Sequence, residues 1–381
     1  MSIKRASHLI KVEEPTSAWS LCSIYILLII YASLYPFQDW RNQDLNPWEF
    51  FLAGWPHYWT GFDVVSNILG YAPLGFFLTL GFVRTDRRRV AWINGVVIAT
   101  LLSLVMESFQ SYLPARVPSL ADLLFNSIGA MMGSTLSFVL ERAGLLDRWS
   151  LFRSRWLSSS IKGVNATLVL IALWPFSLLF PTEVPLGLGQ IHARIYFALK
   201  EFLHETPFLG WLPAFDFQTQ PLTPSVELVC VALGLLTPFL LGAAVIQKAR
   251  QRLIFLGLVF TTAIFLTGLS TALSFGPNHT WSWLTPLVCA GLILGLFLSL
   301  VTLRLDASSY DVFLIIIITL QLFLINQRGV DVYLAQTLKT WEQGKFIRFN
   351  GLAQWLGWTW PFAVLSLIFY KLIYGLKRKS I

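Results

Sequence analysis

Long apolar stretches separated by short polar segments run through almost the whole chain. A hydrocarbon core about 30 Å thick is crossed by roughly 20 helical residues, and several of the stretches reach that length. The pattern predicts about ten transmembrane helices, at residues 19–35, 62–83, 90–112, 119–140, 164–180, 225–246, 253–275, 283–303, 311–326 and 352–374. The expected fold class is therefore all-α, a polytopic integral membrane protein.

Lys and Arg residues are unevenly distributed between alternate connecting segments. Twenty of the 28 fall on the segments that share a side with the N-terminus. Because basic loops stay in the cytoplasm, that side is predicted to be cytoplasmic. An even number of spans then places both termini there.

A basic segment divides the chain into two parts. Residues 1–145 form the predicted four-helix part, 146–163 a basic cytoplasmic linker, and 164–381 a six-helix part of unknown role. Two outer segments, 191–205 and 330–346, carry apolar residues at helical spacing. They are expected to be amphipathic helices that lie on the membrane surface or on the protein's own outer face.

Composition agrees with lipid as the main partner. The chain is 55% hydrophobic and only 13% charged, with a mean hydropathy of +0.64. Its net charge of +8 lies in short clusters between spans rather than on one basic face, which argues against nucleic acid. The three cysteines all fall within predicted spans and are expected to be packing residues. No metal or cofactor motif is present, so neither is expected.

Polar residues concentrate at one end of the second, third and fourth predicted spans. An ionisable residue within a span costs roughly 2.5–3.5 kcal/mol at mid-membrane, so each requires an explanation. The third and fourth spans are joined by only a few residues and must be antiparallel neighbours. Their polar ends therefore meet, and a polar pocket is predicted at the outer surface. Its members are Glu107, Gln110, Arg116, Asp122 and Asn126. Asp63 and Asn67 open the second span, and whether they join the pocket depends on how that span packs, which spacing alone does not show.

Each of these residues also has a structural interpretation. Ser119 followed by Asp122 matches a capping box, and Asp63 fits a simple N-cap. The amides fit interhelical hydrogen bonds, and Arg116 fits an ion pair with Glu107. Capping does not account for Glu107, which lies on the apolar face of a span.

The functional interpretation is a site that faces the exterior. Arg116 and the amino end of the fourth helix would attract a phosphate or carboxylate. Glu107 and Asp122 would be the candidates for proton transfer. The remaining polar residues, Gln110, Asn126, Asn67 and Asp63, would contribute to binding. Both interpretations remain open at this point.

The same residues carry a resemblance to the VanZ-like family. The matching stretches are SNILGYAPLGFFLTLGF at 66–82 and ESFQSYLPARVPSLADLLFNSIGAMMG at 107–133. The first stretch is a helix in which an Asn is followed by Pro-Leu-Gly. The second contains Glu-x-x-Gln, then a Pro-x-Arg turn, then Asp-Leu-Leu-x-Asn at the start of a Gly-rich helix. The helix-packing positions among them are Pro73, Gly75, Gly129 and Gly133, the last two forming a small-xxx-small seam.

The resemblance implies a multi-pass protein of the bacterial plasma (inner) membrane and cell envelope. Named members are associated with resistance to the glycopeptide antibiotic teicoplanin. The first expectation is therefore a protein that binds or shields an envelope component, such as an anionic lipid, a glycan or a glycopeptide. The alternative is an enzyme that acts on a lipid-linked phosphate or glycan through Glu107 and Asp122. A transporter ranks third, because the polar residues lie near the surface and the two halves do not match.

Overall fold

The computed structural model describes residues 17–35, 37, 39–44, 46–52, 54–55, 60–85, 89–114, 116–145, 148, 151, 155–157, 163–215, 222–327 and 347–377. The chain divides into two compact units, Met1–Leu151 and Phe152–Ile381. The boundary between them falls inside the basic segment.

The described residues of the first unit form four α-helices: α1 at Ser17–Leu34, α2 at Gly61–Arg84, α3 at Ala91–Gln110 and α4 at Leu120–Arg142. α2 packs against the other three. The core between them is built from apolar side chains, among them Leu74, Leu78, Met106 and Ala130. A short 3-10 turn, Glu49–Phe51, interrupts the connection between α1 and α2.

Glycines allow α2 and α4 to approach closely. A Cβ atom added to Gly133 would lie 1.8 Å from the carbonyl oxygen of Ala72, and one on Gly129 would lie 2.2 Å from that of Ile68. From the opposite side, a Cβ on Gly75 would lie 2.1 Å from the Ala130 oxygen. Only a hydrogen atom fits at these three positions, as in the small-residue seams of membrane helices.

The second unit contains seven described helices. They are α5 at Val164–Ser177, α6 at His192–Leu203, α7 at Pro224–Ala243, α8 at Ala249–Phe275, α9 at Pro286–Val301, α10 at Ala307–Ile325 and α11 at Ile347–Lys377. α7 is central: every residue from Cys230 to Ala243 is buried, and α5, α8, α9 and α10 pack around it. A helix apolar on all sides is typical of this central position.

Each of the ten predicted spans coincides with a helix in the described part of the chain. Eight of these helices are long and apolar enough to cross a membrane, and the helices at Leu21–Leu34 and Val164–Ser177 are shorter. The all-helical, polytopic membrane class is therefore confirmed, whereas the total of ten spans and their orientation stay predictions. The predicted outer helix at 191–205 is present as α6. The one at 330–346 lies outside the described residues.

Candidate functional site at the polar ends of α2, α3 and α4

Glu107 caps the neighbouring helix. It lies in the last turn of α3 and is only 3% exposed. Its carboxylate accepts a hydrogen bond of 2.9 Å from the backbone N–H of Ser119. Ser119 is the N-cap of α4, and its hydroxyl in turn accepts a bond of 3.2 Å from the N–H of Ala121. The buried carboxylate thus faces the positive end of the α4 dipole, which stabilises its charge.

Asp122 does not form the capping box that the sequence suggested. In a capping box the side chain of the third helical residue accepts a hydrogen bond from the backbone N–H of the N-cap residue. Here the carboxylate of Glu107, from α3, accepts the bond from Ser119 instead. Asp122 turns to α2, where its carboxylate accepts a hydrogen bond of 2.7 Å from the side-chain amide of Asn67. This bond joins α2 to α4 at their polar ends.

Asp63 belongs to a separate arrangement at the start of α2. Thr60 is the N-cap there, and Asp63 completes a reciprocal capping box with it. The Asp63 carboxylate accepts the Thr60 N–H at 2.9 Å, and the Thr60 hydroxyl accepts the Asp63 N–H at 3.3 Å. Asp63 is therefore the acidic partner of the cap rather than the cap itself, and it is exposed.

Gln110 and Arg116 connect to α1. The Gln110 amide donates to the carbonyl oxygen of Ser33 at 3.1 Å. The Arg116 guanidinium donates to those of Tyr35 at 2.6 Å and Ala32 at 3.3 Å. A cation at the carboxyl end of a helix satisfies its last carbonyls and opposes its dipole. The guanidinium that was expected to hold an anion therefore caps α1.

Asn126 lies deeper, between α3 and α4. Its side-chain N–H donates to the Ser103 hydroxyl at 2.9 Å, and its buried oxygen has no hydrogen-bond partner within the described part of the chain. Tyr71 of α2 lies beside Ser103 and within electrostatic range of Glu107. Sequence reasoning missed Tyr71, Ser103 and the role of the Ser119 backbone. Residues of such common types carry no periodic or motif signal, and only the cap position of Ser119 hinted at its role.

Among the described residues, the predicted polar side chains thus form several separate hydrogen bonds. Glu107, Asp122 and Asn126 link the three helices α2, α3 and α4 to one another, whereas Gln110 and Arg116 link that group to α1. The amino end of α4 already faces a carboxylate, so an external anion would have to compete with it. Among the described residues, no group of three or more His, Cys, Asp or Glu side chains is placed to hold a metal ion.

An aromatic loop, the described residues between 37 and 55, covers this end of the unit. Gln43 donates through its amide to the Ser111 carbonyl at 2.8 Å, which fixes the loop to the end of α3. Trp40 packs edge-on against Phe109 with ring centroids 6.4 Å apart. The indoles nevertheless remain about half exposed: Trp40 is 44%, Trp48 53% and Trp55 49% exposed.

The apolar helices define a multi-pass membrane protein. Within it, residues 11–141 match the family model described as VanZ/LLP1. The matched segment contains α1 to α4 up to Glu141, with all seven predicted polar residues, and it ends before the second unit begins. The VanZ-like resemblance is therefore confirmed for this segment. Searches of curated proteins and of solved structures found no match to the chain.

Proposed function

We propose that this protein binds or shields a component of the bacterial cell envelope at the outer face of the plasma membrane, and that it does so without turnover. The observation that carries the proposal is that both candidate catalytic carboxylates accept hydrogen bonds from other groups of the protein. Glu107 accepts the Ser119 N–H, and Asp122 accepts the Asn67 amide. Each holds a helix end in place.

This arrangement favours binding over acid–base chemistry. A general acid or base must reach a substrate proton at about 2.6–3.2 Å, directly or through one water. Glu107 is almost fully buried beneath the start of α4, and access to it would require opening the α3–α4 turn. The enzyme alternative is accordingly ranked lower, and the transporter alternative stays third.

The aromatic loop supplies the surface on which we place the ligand. Exposed indoles pack against the apolar faces of sugar rings and also anchor proteins among lipid head groups. The exposed charged residues of the loop are mostly acidic, with Asp39, Asp44 and Glu49 beside the single Arg41 among its described residues. A glycan or a glycopeptide fits this charge better than an anionic lipid does.

Charge distribution supports an outward orientation of the loop. The basic residues cluster on the segments at the opposite ends of α2, α3 and α4, and basic segments stay in the cytoplasm. The loop would then face the periplasm or the exterior, where envelope glycans and glycopeptide antibiotics are found.

The proposal is tested by measuring teicoplanin binding to the purified full-length protein, with vesicles of phosphatidylglycerol as a second probe. We expect the protein to bind teicoplanin, and Trp48→Ala to weaken the binding because it removes an exposed ring. Trp281→Ala is the matched control, since Trp281 is 58% exposed but lies in the second unit.

Three results would contradict the proposal. The first is equal binding by both variants and wild type. The second is binding to the anionic vesicles alone. The third is chemical modification of the bound glycopeptide or of an added lipid-linked glycan, which would point to an enzyme.

A further inference from the structure

The α6 segment, residues 192–215, is part of the connection between α5 and α7 in the second unit. α6 occupies its first half, and a 3-10 turn at Pro207–Trp211 follows. The chain after this turn folds back on the helix, because the backbone N–H of Phe215 donates to the Tyr196 hydroxyl at 3.4 Å and the two rings pack edge-on. The segment is therefore folded on itself and presents a defined surface.

The start of α6 is fixed at the end of a helix that is long and apolar enough to cross a membrane. Asn326 is the C-cap of α10, and its side-chain oxygen accepts the backbone N–H groups of Ile191 at 3.0 Å and His192 at 3.1 Å. The apolar part of α10 has 18 residues. At about 1.5 Å per residue it nearly matches a hydrocarbon core of about 30 Å, so its end lies close to the edge of that core.

The side of α6 that contacts the protein is not its apolar side. Ala193 is buried, and the guanidinium of its neighbour Arg194 lies 4.7 Å from the ring centre of Trp358 in α11. A small residue and a cation thus make these contacts. Of the two positions predicted for this helix from sequence, packing of its apolar face on the protein's own outer surface does not match this arrangement.

The apolar side of α6 faces away from the protein. Ile195, Leu199 and Phe202 follow one another at intervals of four and three residues, so they share one face of the helix. They are 46%, 42% and 80% exposed. Lys200 and Glu201 are exposed as well but point away from this apolar stripe. The stripe is therefore an uncharged surface at the level where the hydrocarbon core ends.

Exposed aromatic residues continue this surface. Trp211, in the turn after α6, is 80% exposed. Trp355 is half exposed on α11, itself a candidate membrane span, and its ring packs against Trp358, the residue that Arg194 covers. Tryptophan is enriched where a membrane protein meets the boundary between lipid and water. The positions of these indoles agree with the level derived from Asn326.

We propose that α6 lies in the plane of the membrane, with the stripe of Ile195, Leu199 and Phe202 inserted among the acyl chains of the phospholipid leaflet at which α5 ends and α7 begins. Amphipathic helices of other proteins bind at this boundary in the same way. The segment has no net charge, because Arg194 and Lys200 balance its two glutamates. The contact is therefore with the acyl chains and does not require an anionic head group.

The test uses single cysteines that carry a nitroxide label, in full-length protein without its native cysteines, reconstituted in vesicles of phosphatidylcholine. Collision of the label with molecular oxygen, which concentrates among acyl chains, is compared with its collision with a water-soluble nickel chelate. Phe202→Cys should favour oxygen and report a depth of about 5–10 Å into the boundary of head groups and acyl chains. Leu199→Cys, on the same stripe, should also favour oxygen.

Glu201→Cys is the matched control, since Glu201 adjoins Phe202 in the chain but points away from the stripe. Its label should collide with the nickel chelate several-fold more often than the label at Phe202 does. Such a difference between adjacent positions requires a formed helix, so an unfolded variant would not produce it. Addition of phosphatidylglycerol to the vesicles should leave the depth at Phe202 unchanged, because the segment has no net charge.

Three results would overturn the proposal. Frequent collision of the Phe202 and Leu199 labels with the nickel chelate would place the stripe in water. Exclusion of both reagents would mean that protein covers the stripe, and dipolar broadening between labels would then identify a second copy of the chain. A depth that increases with phosphatidylglycerol would assign the contact to head-group charge. None of these results bears on the teicoplanin experiment, which concerns the first unit.

Discussion

The carboxylate of Glu107, in the last turn of α3, lies 2.9 Å from the backbone nitrogen of Ser119, the N-cap of α4. In a capping box the acceptor for the N-cap N–H is a residue of the same helix. Here the acceptor is a side chain of the preceding helix. The bond fixes the tight turn between two antiparallel helices, and it explains how a carboxylate is tolerated within the apolar part of a membrane protein.

The α2–α4 seam gives the first prediction. Gly133→Ala would place a Cβ atom 1.8 Å from the Ala72 oxygen, so the helices must separate. We expect a loss of about 1–3 kcal/mol in the free energy of unfolding, measured by thermal or denaturant unfolding in detergent. Gly70→Ala, on α2 with open space around its Cβ position, should be neutral or stabilising by up to about 1 kcal/mol. Equal effects of the two changes would argue against the seam.

The bond between Asn67 and Asp122 gives the second prediction. A double-mutant cycle with Asn67→Ala and Asp122→Ala should return a coupling energy of about 1–3 kcal/mol, because the hydrogen bond involves a charged acceptor and is partly buried. A parallel cycle with Asn67→Ala and Asp63→Ala should give a coupling near zero, since Asp63 bonds to Thr60 instead. A larger coupling energy between Asn67 and Asp63 than between Asn67 and Asp122 would contradict this geometry.

Orientation gives the third prediction. Asp44 lies exposed in the aromatic loop, and Thr85 lies exposed at the opposite end of α2. In a background without the native cysteines, Asp44→Cys should react with a membrane-impermeant maleimide added to intact cells, whereas Thr85→Cys should react only after lysis. If intact cells showed labelling of Thr85→Cys but not of Asp44→Cys, the predicted orientation would be wrong.

Apolar length and periodicity were sufficient to locate the helices. α2, for example, was predicted at 62–83 and is found at Gly61–Arg84. The boundaries differ where the first turn of a helix is polar. α10 begins at Ala307 instead of 311, since the backbone N–H of Tyr310 already donates to the carbonyl oxygen of Asp306. Hydropathy responds to the burial of side chains and is insensitive to such backbone hydrogen bonds.

The partners of the polar residues were much harder to predict. Spacing correctly placed Glu107 on α3 beside the start of α4, yet it could not show that the Ser119 N–H would be the donor. Arg116 was assigned to a ligand or to Glu107, but the carbonyl oxygens of α1 are distant in sequence. Contacts between residues so far apart along the chain depend on how helices pack, which a single sequence does not specify.

Arg252 shows the same limit in the second unit. By sequence it counted as one charge of a basic cytoplasmic segment. In the structure it is 9% exposed and donates to the carbonyl oxygens of Leu303 and Leu305 and to the Tyr310 hydroxyl. An arginine that caps another helix and one that faces water look identical in a charge count.

The most direct test of the central claim compares Glu107→Gln with Glu107→Ala in cells that express the protein, following glycopeptide susceptibility and protein abundance together. If Glu107 acts as a hydrogen-bond acceptor that holds α4, glutamine keeps an oxygen for the Ser119 N–H and retains both function and abundance. Alanine removes the acceptor, leaves a buried donor unmet at a cost of about 1–3 kcal/mol, and lowers the abundance. Glu141→Gln, at the surface pair with Arg84, should resemble wild type. A Glu107→Gln protein present at wild-type abundance but without function would contradict the account and indicate that this carboxylate transfers a proton.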